Sequence, residues 1–148
     1  MDFVQLQINY ADWEGDVIQS RKCYEAARRH GVPVVVMEPC KGGTLVEVRE
    51  DVAKVLKNAE PEASLASWAL RYSTSLDGII TVLSGMSTME QMEDNVNTMK
   101  HFQPLSQMER LVLETARKRL ENVDTIRCTG CRYCVAGCLQ GIQIPDLF

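Results

Sequence analysis

Apolar and polar positions along this chain repeat with two different periods, and the two alternate. "DFVQLQIN" (2–9) is an apolar-rich run with partial alternation and predicts a strand. "SRKCYEAARRHG" (20–31) spaces Cys23, Ala26 and Ala27 as a helix does, with Gly31 as a C-terminal stop. On that face Cys23 is expected as a small core residue. "VPVVVMEP" (32–39) is a continuous β-branched run, suited to a strand covered on both faces, and the glycine pair Gly42-Gly43 then signals a loop. "TLVEVREDVAKVLKN" (44–58) reads as helical at least in part. "PEASLASWALRYSTS" (61–75) reads as a helix with Pro61 in its first turn and Leu65, Trp68, Ala69 and Tyr72 as its apolar stripe.

"GIITVLSG" (78–85) predicts a third buried strand. "STMEQMEDNVNTMKHF" (87–102) follows as a helix capped by Ser87 or Thr88, with Glu90 and Gln91 placed for a capping box. "SQMERLVLETARKRLENV" (106–123) predicts a long amphipathic helix with Leu111, Leu113, Ala116 and Leu120 as apolar positions. Strand and helix alternate three times, so the fold class is α/β with a parallel sheet. Three parallel strands leave two unpaired edges, and such edges need a partner. The expectation is self-association or docking against a missing N-terminal part.

Composition narrows the function classes. The chain has 148 residues, 45% hydrophobic and 24% charged, as in one globular domain. A net charge of −4 argues against a broad nucleic-acid footprint. The Arg117-Lys118-Arg119 cluster is read as a solvated helix face beside Glu109, Glu114 and Glu121. No apolar run approaches the ~20 residues that span a bilayer. The opening "MDFVQLQINY" lacks the basic region of a signal peptide, so the expected location is cytoplasmic, with no membrane partner.

Six cysteines are the conspicuous chemistry, four of them in "CTGCRYCVAGC" (128–138). Cys128, Cys131, Cys134 and Cys138 follow C-x2-C-x2-C-x3-C, the bacterial ferredoxin spacing for a [4Fe–4S] cluster. Gly130 and Gly137 let the backbone approach inorganic sulfide. Leu139 stands where a proline usually follows the last cysteine. Zinc is the rival, although its sites usually separate cysteine pairs by a longer loop. Disulfides fit a reducing cytosol poorly. A single run also leaves the fourth ligand open: Cys138, Cys40, Cys23 or a cysteine of another chain.

"QLQINYAD", "VVVMEPCKGGTL" and "ITVLSGMSTMEQMEDN" resemble, in order, the last three barrel-strand motifs of aldo/keto reductases. The likeness is to the branch carrying a C-terminal ferredoxin-like cysteine motif, and it covers essentially the whole chain. It implies a partial TIM (β/α)8 barrel, the last three βα units, over residues 1–122. A helical, cysteine-rich, iron–sulfur-binding tail would follow over 123–148. The activity implied is NAD(P)H-dependent reduction of a small-molecule carbonyl by hydride transfer. The cofactors implied are a [4Fe–4S] cluster and, in the intact enzyme, NADP(H) or NAD(H).

By the same resemblance Gln5 would bond the nicotinamide carboxamide, and the loop with Pro39, Lys41 and Gly42 would cover the pyrophosphate. Gly85 would form the cofactor-binding glycine turn, Ser87 and Gln91 would face the 2′-phosphate side, and Asp94 and Asn95 the adenine. Where the family commonly has an aromatic and a serine, this chain has Met37 and Glu38. No lysine or arginine lies between Gly85 and Asn95. The family's catalytic tyrosine, lysine, aspartate and histidine belong to the first half of the barrel, so no catalytic residue is assigned and the chain alone is expected to be silent. His30 and His101 fall at predicted helix ends, where capping or solvent roles are usual. A reading from another class is a stand-alone iron–sulfur electron-transfer or interaction subunit that docks a separate N-terminal half.

Overall fold

The structure is a computed structural model describing residues 1–122, 128 and 131–147. Three strands, β1 (Val4–Gln7), β2 (Val34–Met37) and β3 (Ile79–Val82), form one parallel sheet in the order β1-β2-β3. Parallel neighbours need crossover connections. The first is α1 (Ser20–Arg29), and the second is α2 (Glu50–Ala59) followed by α3 (Leu65–Thr74). Beyond the sheet lie α4 (Met89–Lys100), α5 (Gln107–Glu121) and the short α6 (Tyr133–Ala136). The tail boundary expected after residue 122, the helix end at 123 and Gly130 all fall at or outside the edge of the described residues.

Register runs from Val4 opposite Val34 to Gln7 opposite Met37, with an irregularity between Val34 and Val35 on the β3 side. Alternation along the strands separates two faces. Val34 and Val36 are fully buried, and Val4 and Leu6 pack with them against the helices. Gln5, Met37 and Ile80 are exposed. The expectation of a strand covered on both faces is therefore met on one face only. The strands are also shorter than the runs 2–9, 32–39 and 78–85, because pairing stops where the chain turns at their C-terminal ends.

Helix starts differ from expectation where a cap decides them. Residues 44–58 are not one helix: the chain makes a tight turn at Lys41–Gly43, and α2 begins only at Glu50. Pro61 precedes α3 instead of opening it. Ser64 is the cap, its Oγ accepting the Ser67 N–H at 2.9 Å. Thr88, not Ser87, caps α4, with Gln91 completing the capping box. The predicted stripe of α3 buries Trp68, Ala69 and Tyr72, while Leu65 packs partly against the core. On α5, Leu113 and Ala116 are buried, but Leu111 is exposed, as is Cys23 on α1. Both lie on the solvent side of helices whose core-facing stripes are narrower than the sequence suggests.

Arg117 pairs with Glu114 and Glu121, and Lys118 with Glu114, so the mixed-charge pairing is as expected. Arg117 is largely withdrawn from solvent, however, and Arg119 donates to the Asp51 carbonyl, so the face is not simply solvated. Glu109 turns instead to Arg71. Among the described residues no helix is long and apolar enough to cross a membrane.

Candidate functional site

All three strands end on the same side of the sheet, and most of the predicted nucleotide residues follow those ends. After β1 the chain dives into the core: Ile8, Asn9 and Tyr10 are buried, and Asp12 nearly so. Backbone carbonyls in such a segment need partners. Ser20 Oγ donates to the Gln7 carbonyl at 2.8 Å, and Ser73 Oγ to the Ile8 carbonyl at 3.0 Å. Tyr10 and Trp13 both meet Tyr72 edge-on, with centroids 6.2 and 5.9 Å apart, a geometry that aromatic quadrupoles favour. Asp12 therefore sits between two anchored aromatics.

The loop after β2 carries the irregular backbone. Glu38 (φ 57°) and Lys41 (φ 50°) are non-glycine residues in the left-handed region, and Gly42 (φ 59°) and Gly43 (φ 96°) share that sign. Such strain persists where surrounding contacts hold it, and it concentrates at functional sites. Here the contacts are polar. Asn9 Nδ2 donates to the Glu38 carbonyl at 3.1 Å, and Lys41 Nζ lies 2.5 Å from Asp12 Oδ1. Pro39 is buried beneath the turn, while Gly42 is exposed. Burial, aided by the carboxylates of Glu38 and Asp94, pushes the Cys40 thiol up to about 11. At neutral pH it is a protonated thiol, and the thiolate is the ligand and nucleophile.

The segment after β3 is more self-satisfied than the sequence suggests. Gln91 Oε1 accepts the N–H groups of Ser87 at 2.7 Å and Thr88 at 3.3 Å, so two donors at the start of α4 already have a partner. Asp94 accepts a hydrogen bond from Ser64 Oγ at 2.6 Å. It thereby lines a cleft between α3 and α4 with Arg71, Asn97 and His101. Asn95 is buried and donates to Ser84 Oγ at 3.1 Å. A Cβ at Gly85 would meet open space, so close packing does not explain that glycine. Gln5, on the open sheet face, donates to Met37 Sδ at 3.3 Å.

These residues gather into two groups. Pro39, Lys41 and Gly42 lie in the turn after β2 and Gln5 lies within β1 on the open sheet face, whereas Gly85, Ser87, Gln91, Asp94 and Asn95 follow β3. Lys41 stands in a glycine turn but is paired with Asp12, and the start of α4 is reached through Gly85 but has two of its N–H donors taken by Gln91. Asn9 and Asp12 are the residues that sequence reasoning missed. Strand alternation gave no signal for Asn9, which lies past the end of β1 where Ile8, Asn9 and Tyr10 are all buried. The partnership of Asp12 with Lys41, 29 residues away, had none.

His30 and His101 cap the ends of α1 and α4, as expected. In the tail, Cys131 and Cys134 are exposed, and Cys128 and Cys138 half-buried. Among the described residues no three His, Cys, Asp or Glu side chains are gathered as a metal site. The backbone there is nonetheless organised. Arg132 (φ 60°) opens α6, Arg132 Nη2 donates to Gln143 Oε1 at 2.5 Å, and the Cys138 N–H reaches the Val135 carbonyl at 3.2 Å.

Parallel strands joined by helical crossovers, with polar residues at the strand C-terminal ends, are the arrangement found in α/β folds, of which the α/β barrel is one. The aldo/keto reductase family model matches residues 1–114, and the chain belongs to that family. Among solved structures it is similar to the holo form of an aldo-keto reductase from Bacillus halodurans. The TM-score is 0.60 at 24% identity, covering 78% of this chain and 42% of that one. The apo form of the same enzyme gives 0.60 at 24%, covering 78% and 43%. An aldo/keto reductase from Klebsiella pneumoniae, solved with NADP and acetate, gives 0.53 at 17%, covering 84% and 41%. At these identities the likeness is one of fold. The chain spans less than half the length of these structures. Comparison with curated proteins finds no match.

Proposed function

We propose that this chain forms the last three βα units of an NAD(P)H-dependent aldo/keto reductase. Its strand ends would supply part of the cofactor cleft in which a small-molecule carbonyl is reduced. The observation that carries the reading is the family match over residues 1–114, combined with the polar cluster at the ends of β1 and β2. NADP in the Klebsiella neighbour supports a nicotinamide cofactor. On this reading Gln5 meets the carboxamide, Lys41 and Gly42 the pyrophosphate, and Gly85, Ser87, Gln91, Asp94 and Asn95 the adenosine half. Gln91 would have to share its capping amide with the ligand. When bound, the nicotinamide supplies the hydride. This chain's residues would bind and orient it, and the proton donor comes from the first half of the barrel. That half is either a separate polypeptide or an N-terminal segment, and the exposed sheet face and edges suit it.

The reading extends to the tail. The spacing of Cys128, Cys131, Cys134 and Cys138 supports a [4Fe–4S] cluster and the ferredoxin-like branch of the family, with 123–148 as its binding unit. No catalytic step is assigned to it.

Two measurements test the proposal on protein purified without oxygen. Tryptophan fluorescence titrated with NADPH and NADH, followed by carbonyl reduction with a panel of aldehydes, tests the reductase reading. Saturable binding is expected, with turnover only when the first barrel half is present; absence of binding in that complete assembly defeats it. Iron, acid-labile sulfide and zinc per chain test the tail. About four irons and four sulfides are expected for a cluster held by four thiolates, and one zinc in their place overturns it.

A further inference from the structure

The ion pair between Asp12 and Lys41 joins two loops that the sequence keeps far apart. Both side chains are largely withdrawn from solvent, 11% and 17% exposed. Asp12 Oδ1 takes Lys41 Nζ at 2.5 Å, and Oδ2 accepts from Gln7 Nε2 at 2.9 Å and Asn9 Nδ2 at 3.0 Å. Asn9 Oδ1 accepts the Asp12 N–H at 2.8 Å, and Asn9 Nδ2 also reaches the Glu38 carbonyl. A buried pair repays its desolvation only when additional hydrogen bonds satisfy the carboxylate, and here two further side-chain donors, Gln7 and Asn9, do so. The two strained non-glycine residues of the loop, Glu38 and Lys41, are the two that this network grips.

We propose that Asp12, supported by Asn9, is a positioning residue for dinucleotide binding. It holds the 38–43 turn and the Lys41 ammonium in place, so that Lys41 meets a pyrophosphate without reorganisation of the loop. The proposal rests on the nucleotide reading above. A lysine ammonium has three donors, so one can stay on Asp12 while another turns to a phosphate oxygen. Without Asp12, Lys41 is a flexible chain that must be ordered on each binding event. The Gln7 and Asn9 amides would also lose their shared acceptor.

A double-mutant cycle with NADP+ as probe, read by tryptophan fluorescence on the intact protein, tests this. D12N and K41M should each weaken binding by about tenfold, the scale of one lost charge-assisted hydrogen bond. The double variant should bind no more weakly than K41M, because both changes break one device. A merely structural Asp12 would make the losses multiply, which overturns the proposal, as does wild-type affinity in D12N. If the wild type, assembled with the first barrel half, binds neither NADP+ nor NAD+, the dinucleotide reading fails and takes this proposal with it. Binding by the wild type with D12N unchanged sinks this proposal alone. Should D12N fail to fold, K41M in ligand-free protein gives a second readout. Amide hydrogen exchange across residues 38–43 should quicken in K41M, and unchanged exchange overturns the clasp.

Discussion

Trp68 illustrates how much one side chain carries in so small a core. It is fully buried in the cluster with Ile8, Val36, Leu56 and Leu113, and the Arg71 guanidinium lies 5.8 Å from its ring centroid. Trp68→Ala should cost about 3–5 kcal/mol, the usual range for deleting a buried aromatic, read as a lowered urea midpoint. Cys40 makes a different prediction at the same scale. Burial holds its thiol up at about 11, above the ~8.5 of an unfolded cysteine. The folded state therefore keeps this proton longer than the unfolded chain does. The stability it contributes is complete below about pH 8.5 and is lost as pH climbs toward 11. Cys40→Ser should flatten the alkaline arm of a stability–pH curve. It should not abolish that arm, because burial also raises the Tyr10 and Tyr72 phenols. At pH 8, iodoacetamide should label exposed Cys23 faster than Cys40, and the reverse order would contradict this environment for the thiol.

Among elements, caps fix where helices begin. Ser106 and Glu109 form a capping box at the start of α5, with Ser106 Oγ accepting the Glu109 N–H at 3.2 Å and Glu109 Oε2 accepting the Ser106 N–H at 2.7 Å. Glu109 also receives Arg71 from α3, so one carboxylate caps a helix and ties it to its neighbour. Ser106→Ala should destabilise the fold by about 1 kcal/mol, typical for a lost N-cap, visible as a lower thermal midpoint with unchanged helical content. Periodicity located every α-helix of the first 122 residues and all three strands, because each pattern is written in consecutive residues. It missed the ends. The late start of α2 and the choice of Thr88 over Ser87 depend on backbone geometry, which residue type alone does not dictate. The exposure of Leu111 and Cys23 went unseen for a related reason: which side of a helix is covered depends on its neighbours.

For the whole molecule the sheet is the deciding feature. One face is packed by helices, whereas the other presents Gln5, Met37 and Ile80 to solvent. On α4, Met89, Met92, Val96 and Met99 add an exposed apolar row. Exposed apolar surface of this kind, beside unpaired strand edges, promotes association. The chain by itself should therefore run in light scattering as an oligomer, and addition of the first barrel half should convert that species to a one-to-one complex. A stable monomer at high concentration would contradict the prediction.

Sequence alone determined the class: strand and helix periods in alternation imply a parallel α/β sheet, and three motifs in order resemble one family. It also supplied the cysteine spacing, because that pattern is written in neighbouring residues. Tertiary structure decided what depends on contacts between distant segments. It brought Asp12 to Lys41 and turned Asp94 toward Ser64. It also occupied Gln91 with the N-terminus of its own helix. The physical reason is the same in each case. A polar side chain withdrawn from water must find a partner, and only the fold determines which groups are within reach.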